Sequence, residues 1–343
     1  MAAGGRVGKI GLDFGSHTLR AVQLRESTKT KSLFAMATLT ARTVFTERPS
    51  TESVKERAQA IRRLFSMDRF SGKQVIVAVS HEDCVVRMVN LPKMTSQEMR
   101  EAVHFEMKKH AFFSGDDYVT DFKVIRPVET PHGPQLEVAA VAARKEPIVS
   151  MLDAIEAARL KSVAVDVEGI AASRALNRGR SEAFCITDIG HTHTNISVFD
   201  GEDLIVHRSI GVAGYHILNR ITAVVGGISS FEDLGGLVRT QSEAVDEAVG
   251  EAVDEITLEI GRSLDYFRNS RKPVDTLYLT GGGSMLPRVV EFISDRVEGE
   301  VKVGDPFASI EVDPSQHSSE VISVLRPRLA VAVGLAERGL ERE

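Results

Sequence analysis

Two segments about 175 residues apart share one pattern: an apolar run ends in an aspartate, turns on a glycine and continues into hydroxyl side chains. The residues of this pattern are Asp13, Gly15 and Ser16 in the first segment, and Asp188, Gly190, Thr192 and Thr194 in the second. A glycine allows the backbone to approach a ligand closely, and successive N–H groups in such a turn form a concave anion-binding site. Hydroxyl groups add further donors. The pattern therefore predicts two turns that bind the phosphates of one ligand.

The two aspartates of this pattern would repel a phosphate unless a divalent cation lay between them. Carboxylates, phosphate oxygens and waters form the ligand set that Mg²⁺ prefers. Taken singly, Asp13 or Asp188 is as well explained as a structural residue of a hairpin. Their matched settings favour binding instead, and we predict that both aspartates hold Mg²⁺.

A third segment suits the same ligand. The apolar run 276–280 leads into a glycine-rich turn just before a predicted helix. The residues of this turn are Gly281, Gly282, Gly283 and Ser284. Backbone without side chains can lie against a nucleotide at such a place. A turn of this kind is a weak signal alone, but with the two aspartate turns it predicts a nucleotide site.

The elements that position these turns follow from apolar periodicity. Strand patterns occupy residues 9–24, 75–79, 84–89, 118–125, 136–143, 184–189, 195–199 and 276–280. Helical patterns occupy residues 51–70, 96–110, 146–159, 242–268, 287–297 and 329–340. Thr95 and Glu98 have the spacing of a capping box at the start of one helix. The mixture predicts an α/β protein in which residues 82–160 form an inserted β-α-β-β-α module.

The composition excludes several classes of protein. A chain of 343 residues with 43% hydrophobic residues is long enough for two lobes, and its net charge of −6 argues against nucleic-acid binding. Neither a secretory signal nor an apolar window of membrane-spanning length is present, so a cytoplasmic location is expected. Cys84 and Cys185 lie in apolar runs and are expected to be buried. His191 and His193 lack a third ligand at a recognisable spacing and are expected to be exposed loop residues.

With these three turns, the sequence resembles the actin-like ATPases, the superfamily of actin, sugar kinases, chaperone ATPases and FtsA. Their first phosphate motif is similar to Asp13–Ser16 with a basic residue, here Arg20, seven positions after the aspartate. Their adenosine motif is similar to Gly281–Ser284 followed by Pro287. A closer resemblance is to the PilM family of type IV pilus assembly proteins. The stretches that carry it are Leu91–Met94, Val165–Glu168, Ser263–Phe267, Asp305–Phe307 and Val312–Pro314.

The resemblance implies an actin-like fold, a duplicated ribonuclease H-like fold of two lobes with an FtsA-type inserted subdomain 1C. The implied first lobe, subdomain 1A, comprises residues 1–81, 161–183 and 326–343. Subdomain 1C would be residues 82–160. The second lobe would be residues 184–325, with subdomain 2A and with subdomain 2B at about 216–272. Helices 167–176 and 330–336, rich in alanine and glycine, would cross at the hinge.

The resemblance also implies roles for single residues. Glu168 takes the position of a residue that orients the attacking water, and a first-turn helix acid is the alternative for it. Glu259 and Arg262 take positions that hold the adenosine. Arg20 replaces the usual lysine, and histidines replace the small or acidic residues usual in the second phosphate loop.

The implied function is that of a cytoplasmic assembly protein that binds ATP or ADP with Mg²⁺ and is at most a slow ATPase. Its implied partners are the N-terminal cytoplasmic tail of a PilN-like membrane protein and other inner-membrane components of a pilus or secretion machine. Residues 85–89 and 99–107 are candidates for the groove that takes this tail. Self-association is a further possibility.

Two alternatives stay open. A small-molecule kinase would need a general base in the cleft, for which Asp166 is the nearby candidate. An FtsA-like filament former would carry a C-terminal amphipathic membrane anchor, whereas this sequence ends at Glu343 directly after the predicted hinge helix.

Overall fold

The structure is a computed structural model that describes residues 5–40, 51–109, 117–131, 133–177, 179, 181–225, 243–269 and 273–341. The described strands are β1 Arg6–Val7, β2 Ile10–Phe14, β3 Thr18–Glu26, β4 Lys31–Thr40, β5 Gln74–Val79, β6 Cys84–Leu91, β7 Tyr118–Thr130, β8 Gly133–Arg144, β9 Lys161–Val167, β10 Ala183–Ile189, β11 Thr194–Asp200, β12 Asp203–Ile210, β13 Thr276–Thr280, β14 Glu300–Val303 and β15 Ile310–Glu311. The described helices are α1 Thr51–Phe65, α2 Ser96–Lys108, α3 Lys145–Ala157, α4 Glu168–Asn177, α5 Gly214–Val225, α6 Glu243–Arg268, α7 Val289–Ser294, α8 Ser319–Leu325 and α9 Ala330–Arg338. The predicted α/β class is confirmed.

Two sheets repeat the same local topology. The first has the strand order β15-β4-β3-β2-β5-β9, with β1 beside β3, and the second has the order β12-β11-β10-β13-β14. In the first sheet β2 pairs antiparallel with β3 and parallel with β5. In the second, β10 pairs antiparallel with β11 and parallel with β13. Each predicted aspartate turn thus connects the two strands of a hairpin, and the two hairpins have equivalent positions in their sheets.

Two helices cross closely between these sheets, as expected for the hinge. A Cβ atom added to Gly334 of α9 would lie 1.6 Å from the carbonyl oxygen of Ala171 in α4. No side chain fits in that space, so the crossing requires glycine. Apolar residues of α4 and α9 share one core cluster with both sheets, including Ile76 of β5 and Ile186 of β10. The lobes therefore meet through a continuous apolar contact around the two helices.

The inserted module contains a three-stranded sheet of order β6-β8-β7. Helix α2 covers it and buries Met99, Val103 and Met107 against the strands. The predicted capping box is confirmed, since Thr95 N–H donates to Glu98 Oε2 at 2.8 Å and Glu98 N–H donates to Thr95 Oγ1 at 3.3 Å. In the described residues α2 ends at Lys108, and residue 110 of the predicted helix lies outside them.

Two contacts cross the lobe limits expected from the sequence. Helix α3, which falls in the segment 82–160, packs on α1 of the first lobe, where Arg57 Nη1 donates to Ser150 Oγ at 2.9 Å. Strand β15, in the segment 184–325, pairs with β4 of the first sheet. Residues 226–242 and 270–272 of the expected subdomain 2B lie outside the described residues.

The helices differ in length from the sequence prediction at two places. Helix α1 ends at Phe65 rather than residue 70. The predicted helix 287–297 is shorter in the structure, where α7 begins at Val289, directly after Arg288 with its left-handed φ of 68°, and ends at Ser294. A 3-10 turn at Gly283–Met285 precedes it. Among the described residues, no helix combines the length and the apolar content needed to cross a lipid bilayer.

Candidate functional site between the lobes

A cleft of about 410 Å³ lies where the two hairpin turns face each other. Its walls include both aspartate turns, the glycine-rich turn and the start of α4. The sequence-predicted residues that line it are Asp13, Gly15, Ser16, Arg20, Glu168, Asp188, Gly190, Thr192, Gly281 and Gly282. Residues separated by more than 260 positions in the chain are thus brought to one cavity, as the three-turn interpretation requires.

Three further predicted residues support these turns from behind rather than line the cleft. Thr194 is fully buried, and its Oγ1 donates to the carbonyl oxygen of Val212 at 2.7 Å. Ser284 Oγ donates to the carbonyl oxygen of Gly281 at 2.8 Å. A Cβ atom at Gly283 would lie 2.2 Å from Cγ2 of Ile189, so this glycine permits the turn to pack on β10.

The two residues expected to hold an adenosine lie outside the residues that line the cleft. Glu259 and Arg262 are on α6, where Glu259 accepts from Arg262 and also from Arg208 Nη1, the latter at 3.3 Å. The Arg262 side chain is 58% exposed. One turn of helix separates the two residues, so their pairing with each other explains their spacing without a ligand.

The first turn carries a buried ion pair. Asp13 is almost fully buried, and Arg20 on the partner strand donates from Nη1 to Asp13 Oδ2 at 2.8 Å. Burial raises the pKa of Asp13, and the charge of Arg20 opposes that rise. Gly15 is required here, since a Cβ atom would lie 2.9 Å from the carbonyl oxygen of Thr18. Arg20 therefore both neutralises Asp13 and borders the cleft.

The second turn is built differently. Asp188 accepts a hydrogen bond from Thr280 Oγ1 at 3.0 Å, at the end of the neighbouring parallel strand. Burial raises the pKa of Asp188, and the Thr280 hydroxyl opposes the rise. Gly281 has a φ of +82°, and a Cβ atom there would lie 2.3 Å from the carbonyl oxygen of Ile189. The glycine-rich turn thus packs directly against the second aspartate turn.

Glu168, the first residue of α4, also faces the cleft. Removal from water raises the pKa of Glu168 well above its ordinary value, and the negative charges of Asp13 and Asp188 raise it further. The backbone N–H of His81 donates to Glu168 and opposes this rise. Among the predicted residues, three carboxyl groups and one arginine, Arg20, therefore face the cavity. This donor set fits a divalent cation that binds through oxygen, such as Mg²⁺.

Among the described residues, three histidines line this cleft, and the placement of two of them corrects one expectation. His191 and His193 are half-buried rather than exposed. His191 stacks on His17 of the other turn with ring centroids 4.2 Å apart, and His193 Nδ1 contacts a carboxylate oxygen of Glu82. The histidines are half-buried because they contact residues across the cleft, which periodicity within one turn does not reveal.

Other cleft residues were missed by the sequence interpretation, among them Glu82, Asn195, Tyr215 and Arg328. One of them did carry a signal. Asn195 lies seven positions after Asp188, as Arg20 lies seven positions after Asp13, and each is directly paired with its aspartate across the hairpin. Tyr215 lies in α5, and Glu82 and Arg328 lie in 3-10 turns. Only the tertiary fold brings these elements to the cleft.

Comparison with known proteins places this architecture. A solved structure of a PilM-PilN type IV pilus biogenesis complex superposes with a TM-score of 0.84 and 28% sequence identity, covering 98% of this chain and 100% of that one. The ethanolamine utilization protein EutJ from Carboxydothermus hydrogenoformans superposes with a TM-score of 0.58 and 14% identity, covering 98% and 91%. No match is found among curated proteins. The fold is the actin-like two-lobe α/β fold.

The family itself follows from a match that extends over nearly the whole chain. Residues 11–340 match the family described as type IV pilus assembly protein PilM. The matched segment contains both aspartate turns, the inserted module and both hinge helices. This chain therefore belongs to the PilM family of type IV pilus assembly proteins.

Proposed function

We propose that this protein binds ATP or ADP with Mg²⁺ in the cleft, and that the nucleotide controls its interaction with a PilN-like membrane protein during pilus assembly. The observation that carries the proposal is the convergence of two matched aspartate turns and a glycine-rich turn on one cavity of about 410 Å³. Its place of action would be the cytoplasmic face of the inner membrane, reached through the partner. The PilM-PilN complex to which this chain is similar supports the choice of partner.

The cleft residues have distinct roles in this proposal. Asp13 and Asp188 would hold Mg²⁺, which neutralises phosphate charge when bound. Ser16 and Thr192 would donate to phosphate oxygens, together with the N–H groups of the turns. Gly281 and Gly282 would lie against the nucleoside, since neither carries a side chain where it lines the cleft.

Glu168 would orient a water molecule near the terminal phosphate. Its raised pKa favours a protonated carboxyl in the ligand-free cleft, and a bound cation would favour the carboxylate. A slow ATPase is compatible with this residue. The assembly role requires the shape change more than the hydrolysis, since only a difference in affinity between open and closed states drives the partner.

The partner's tail would bind in a second cavity, of about 920 Å³, between the three-stranded sheet and α4. Its apolar lining includes Val86, Phe122, Val141, Ile148 and Ile170. Of the two groove segments expected from the sequence, Val86 from the first lines this cavity. In the second, Met99 and Met107 are buried in the core of the module, whereas Phe105 is 66% exposed. The cavity borders α4, so hinge motion between the lobes would reach the tail site.

The kinase alternative loses its candidate base. Asp166 lies in the second cavity rather than in the cleft. It accepts from Arg174 Nη1 at 2.6 Å, and Arg338 Nη1 lies 2.9 Å from the same carboxylate oxygen. A carboxylate that is paired with two arginines outside the cleft is not placed to act as a base on a substrate bound inside it.

The test is calorimetric titration of ATP and ADP with Mg²⁺ into the wild type, Asp188→Asn and the surface control Asp153→Asn. We expect Asp188→Asn to weaken binding by about 30-fold or more, because a charge-assisted contact contributes about 2 kcal/mol or more. The control should bind as the wild type does. A second titration with the tail peptide of the PilN-like protein should give different affinities with ATP and with ADP. Absence of nucleotide binding to the wild type would overturn the proposal, and fast turnover that requires an acceptor would replace it with the kinase.

A further inference from the structure

A separate cluster of buried side chains lies beside the cleft. The potential ligand atoms of His81, Cys84 and His207 all lie within 4.8 Å of one another, the one such group of three histidine, cysteine, aspartate or glutamate side chains found in the described parts of the chain. All three residues are buried, with 5%, 5% and 9% exposure. His81 lies in a 3-10 turn after β5, Cys84 begins β6 and His207 lies in β12. The cluster therefore joins a turn after the first sheet with strands of two other sheets.

Two nitrogen atoms of this cluster lack the partner that a buried polar atom needs. His81 Nδ1 and His207 Nε2 are buried and have no hydrogen-bond partner. Leaving such an atom unsatisfied costs about 1–3 kcal/mol. The two imidazole rings also lie close together, with centroids 3.7 Å apart. Simple core packing does not explain two adjacent imidazoles with unsatisfied nitrogens.

The other nitrogen of His207 has a partner that fixes the ring. His207 Nδ1 and Ser197 Oγ lie 3.2 Å apart. When Nδ1 carries the hydrogen and donates to Ser197, the Nε2 lone pair points into the cluster. Histidines that bind a metal usually have their second nitrogen held in this way.

We propose that His81, Cys84 and His207 form a binding site for Zn²⁺. One thiolate and two imidazoles are the soft and borderline ligands that Zn²⁺ selects over Mg²⁺. Binding forms one Zn–S bond and two Zn–N bonds, and the Cys84 thiol proton leaves to the solvent. Bond lengths of about 2.0–2.3 Å require the three ligand atoms to move somewhat closer together.

The fourth coordination position faces a cavity. All three ligands line a cavity of about 730 Å³, which gives a path for the ion and room for a water ligand. Glu82 and Asp83 border the same cavity. In the described part of the chain, three arginines border this cavity. Arg144 is paired with Asp83 at 3.0 Å and Arg208 with Glu259 at 3.3 Å. Arg87 instead donates to the carbonyl oxygen of Val86 and its charge acts on His207, so the repulsion of a cation is only partly compensated.

Bound zinc would connect the lobes at the edge of the cleft. His207 belongs to the second lobe, whereas His81 and Cys84 lie where the first sheet continues into the inserted module. The backbone N–H of His81 also donates to Glu168. Zn²⁺ at this site would therefore limit relative motion of the lobes and fix the segment that positions Glu168.

The experiment uses the full chain freed of metal by a chelator, without nucleotide. Zn²⁺ is titrated by calorimetry, and Co²⁺ is added separately so that a thiolate-to-cobalt absorption band reports a Co–S bond. We expect one Zn²⁺ per chain, a cobalt band and a higher melting temperature with Zn²⁺, none of which Mg²⁺ should produce. Cys84→Ser should weaken Zn²⁺ binding by about 100-fold or more and abolish the band. The matched control is Cys185→Ser, which removes the other buried cysteine and should leave both signals unchanged.

His207→Gln provides an independent variant if Cys84→Ser does not fold. It should fold without metal, keep the cobalt–thiolate band at a reduced intensity and bind Zn²⁺ more weakly. A stoichiometry below one in the wild type, or unchanged Zn²⁺ affinity in either folded variant, would overturn the proposal. None of these measurements involves a nucleotide, so their result is independent of the proposed ATP site.

Discussion

The two aspartate turns have nearly the same backbone but different surroundings. In the first hairpin Asp13 pairs across the strands with Arg20, whose guanidinium group donates to it at 2.8 Å. In the second, Asp188 pairs with Asn195, and its hydrogen bond comes from the neutral Thr280 hydroxyl. The first turn thus contains its own counter-charge, whereas the second turn contains none, and the charge of Arg20 also acts on Asp188 from the first turn.

This difference indicates a division of roles between two copies of one motif. Under the proposed function, a cation would be attracted more strongly to the turn of Asp188, which has no arginine of its own. Arg20 is more suited to a phosphate, because its planar guanidinium can bind two oxygens. Duplication provides the shared geometry, and one change at the seventh position after the aspartate makes the two turns electrostatically complementary.

The turns also differ in how they pack on neighbouring backbone. The largest loss of stability should come from disturbing the packing of the second turn. Gly281→Ala should destabilise the protein by about 3 kcal/mol or more, since alanine is strained at a φ of +82° and its Cβ would lie 2.3 Å from the carbonyl oxygen of Ile189. The measurement is chemical denaturation. Gly282→Ala is the matched control, because the nearest atom to its added Cβ is 3.8 Å away. Equal stability of the two variants would show that the second turn does not depend on this packing.

The first turn should depend instead on its ion pair. Arg20→Gln would leave Asp13 buried without a positive partner and should destabilise the protein by about 2–3 kcal/mol at neutral pH. The loss should shrink towards acidic pH, because protonated Asp13 needs no counter-charge. Denaturation at several pH values checks this. Arg220→Gln, which removes an exposed partner of Glu251, is the control and should have little effect. A loss independent of pH would indicate that Arg20 acts by packing alone.

The sequence was most informative where chemistry and local geometry coincide. The aspartate turns, the glycine-rich turn and the capping box of α2 all depend on residues close together in the chain, and the structure contains each of them. The pairing of β2 with β3 and of β10 with β11 followed from the same turns. Ten of the predicted site residues line one cleft because the two hairpins are duplicates with equivalent edges.

What the sequence could not provide was the set of contacts between distant segments. Strand β12 brings His207 next to His81 and Cys84, and no short-range spacing links these three residues. Strands β4 and β12 carry mixed polar and apolar residues, and their strand structure depends on pairing with β3 and β11. Glu259 and Arg262 were assigned to the nucleotide from family resemblance, but their pairing on the surface of α6 is a local helix interaction.

Glu168 belongs to neither turn but lines the cleft between them, and its replacement tests whether burial and the charges of Asp13 and Asp188 raise its pKa. In the folded protein the pKa of Glu168 is raised, so the folded state keeps this proton to a higher pH than the unfolded chain does. The stability contributed by this group is therefore present below the ordinary glutamate pKa and is lost as the pH rises through the raised value.

Glu168→Gln removes that loss, and we expect the nucleotide-free variant to be more stable than the wild type by about 1–2 kcal/mol at pH 8. The difference should decrease steadily towards pH 5, as measured by denaturation of both proteins across this range. Glu291→Gln, an exposed carboxylate on α7, should change nothing over the same range. A wild type that is as stable as Glu168→Gln at pH 8 would mean that neither burial nor the charges of Asp13 and Asp188 raise the pKa of Glu168.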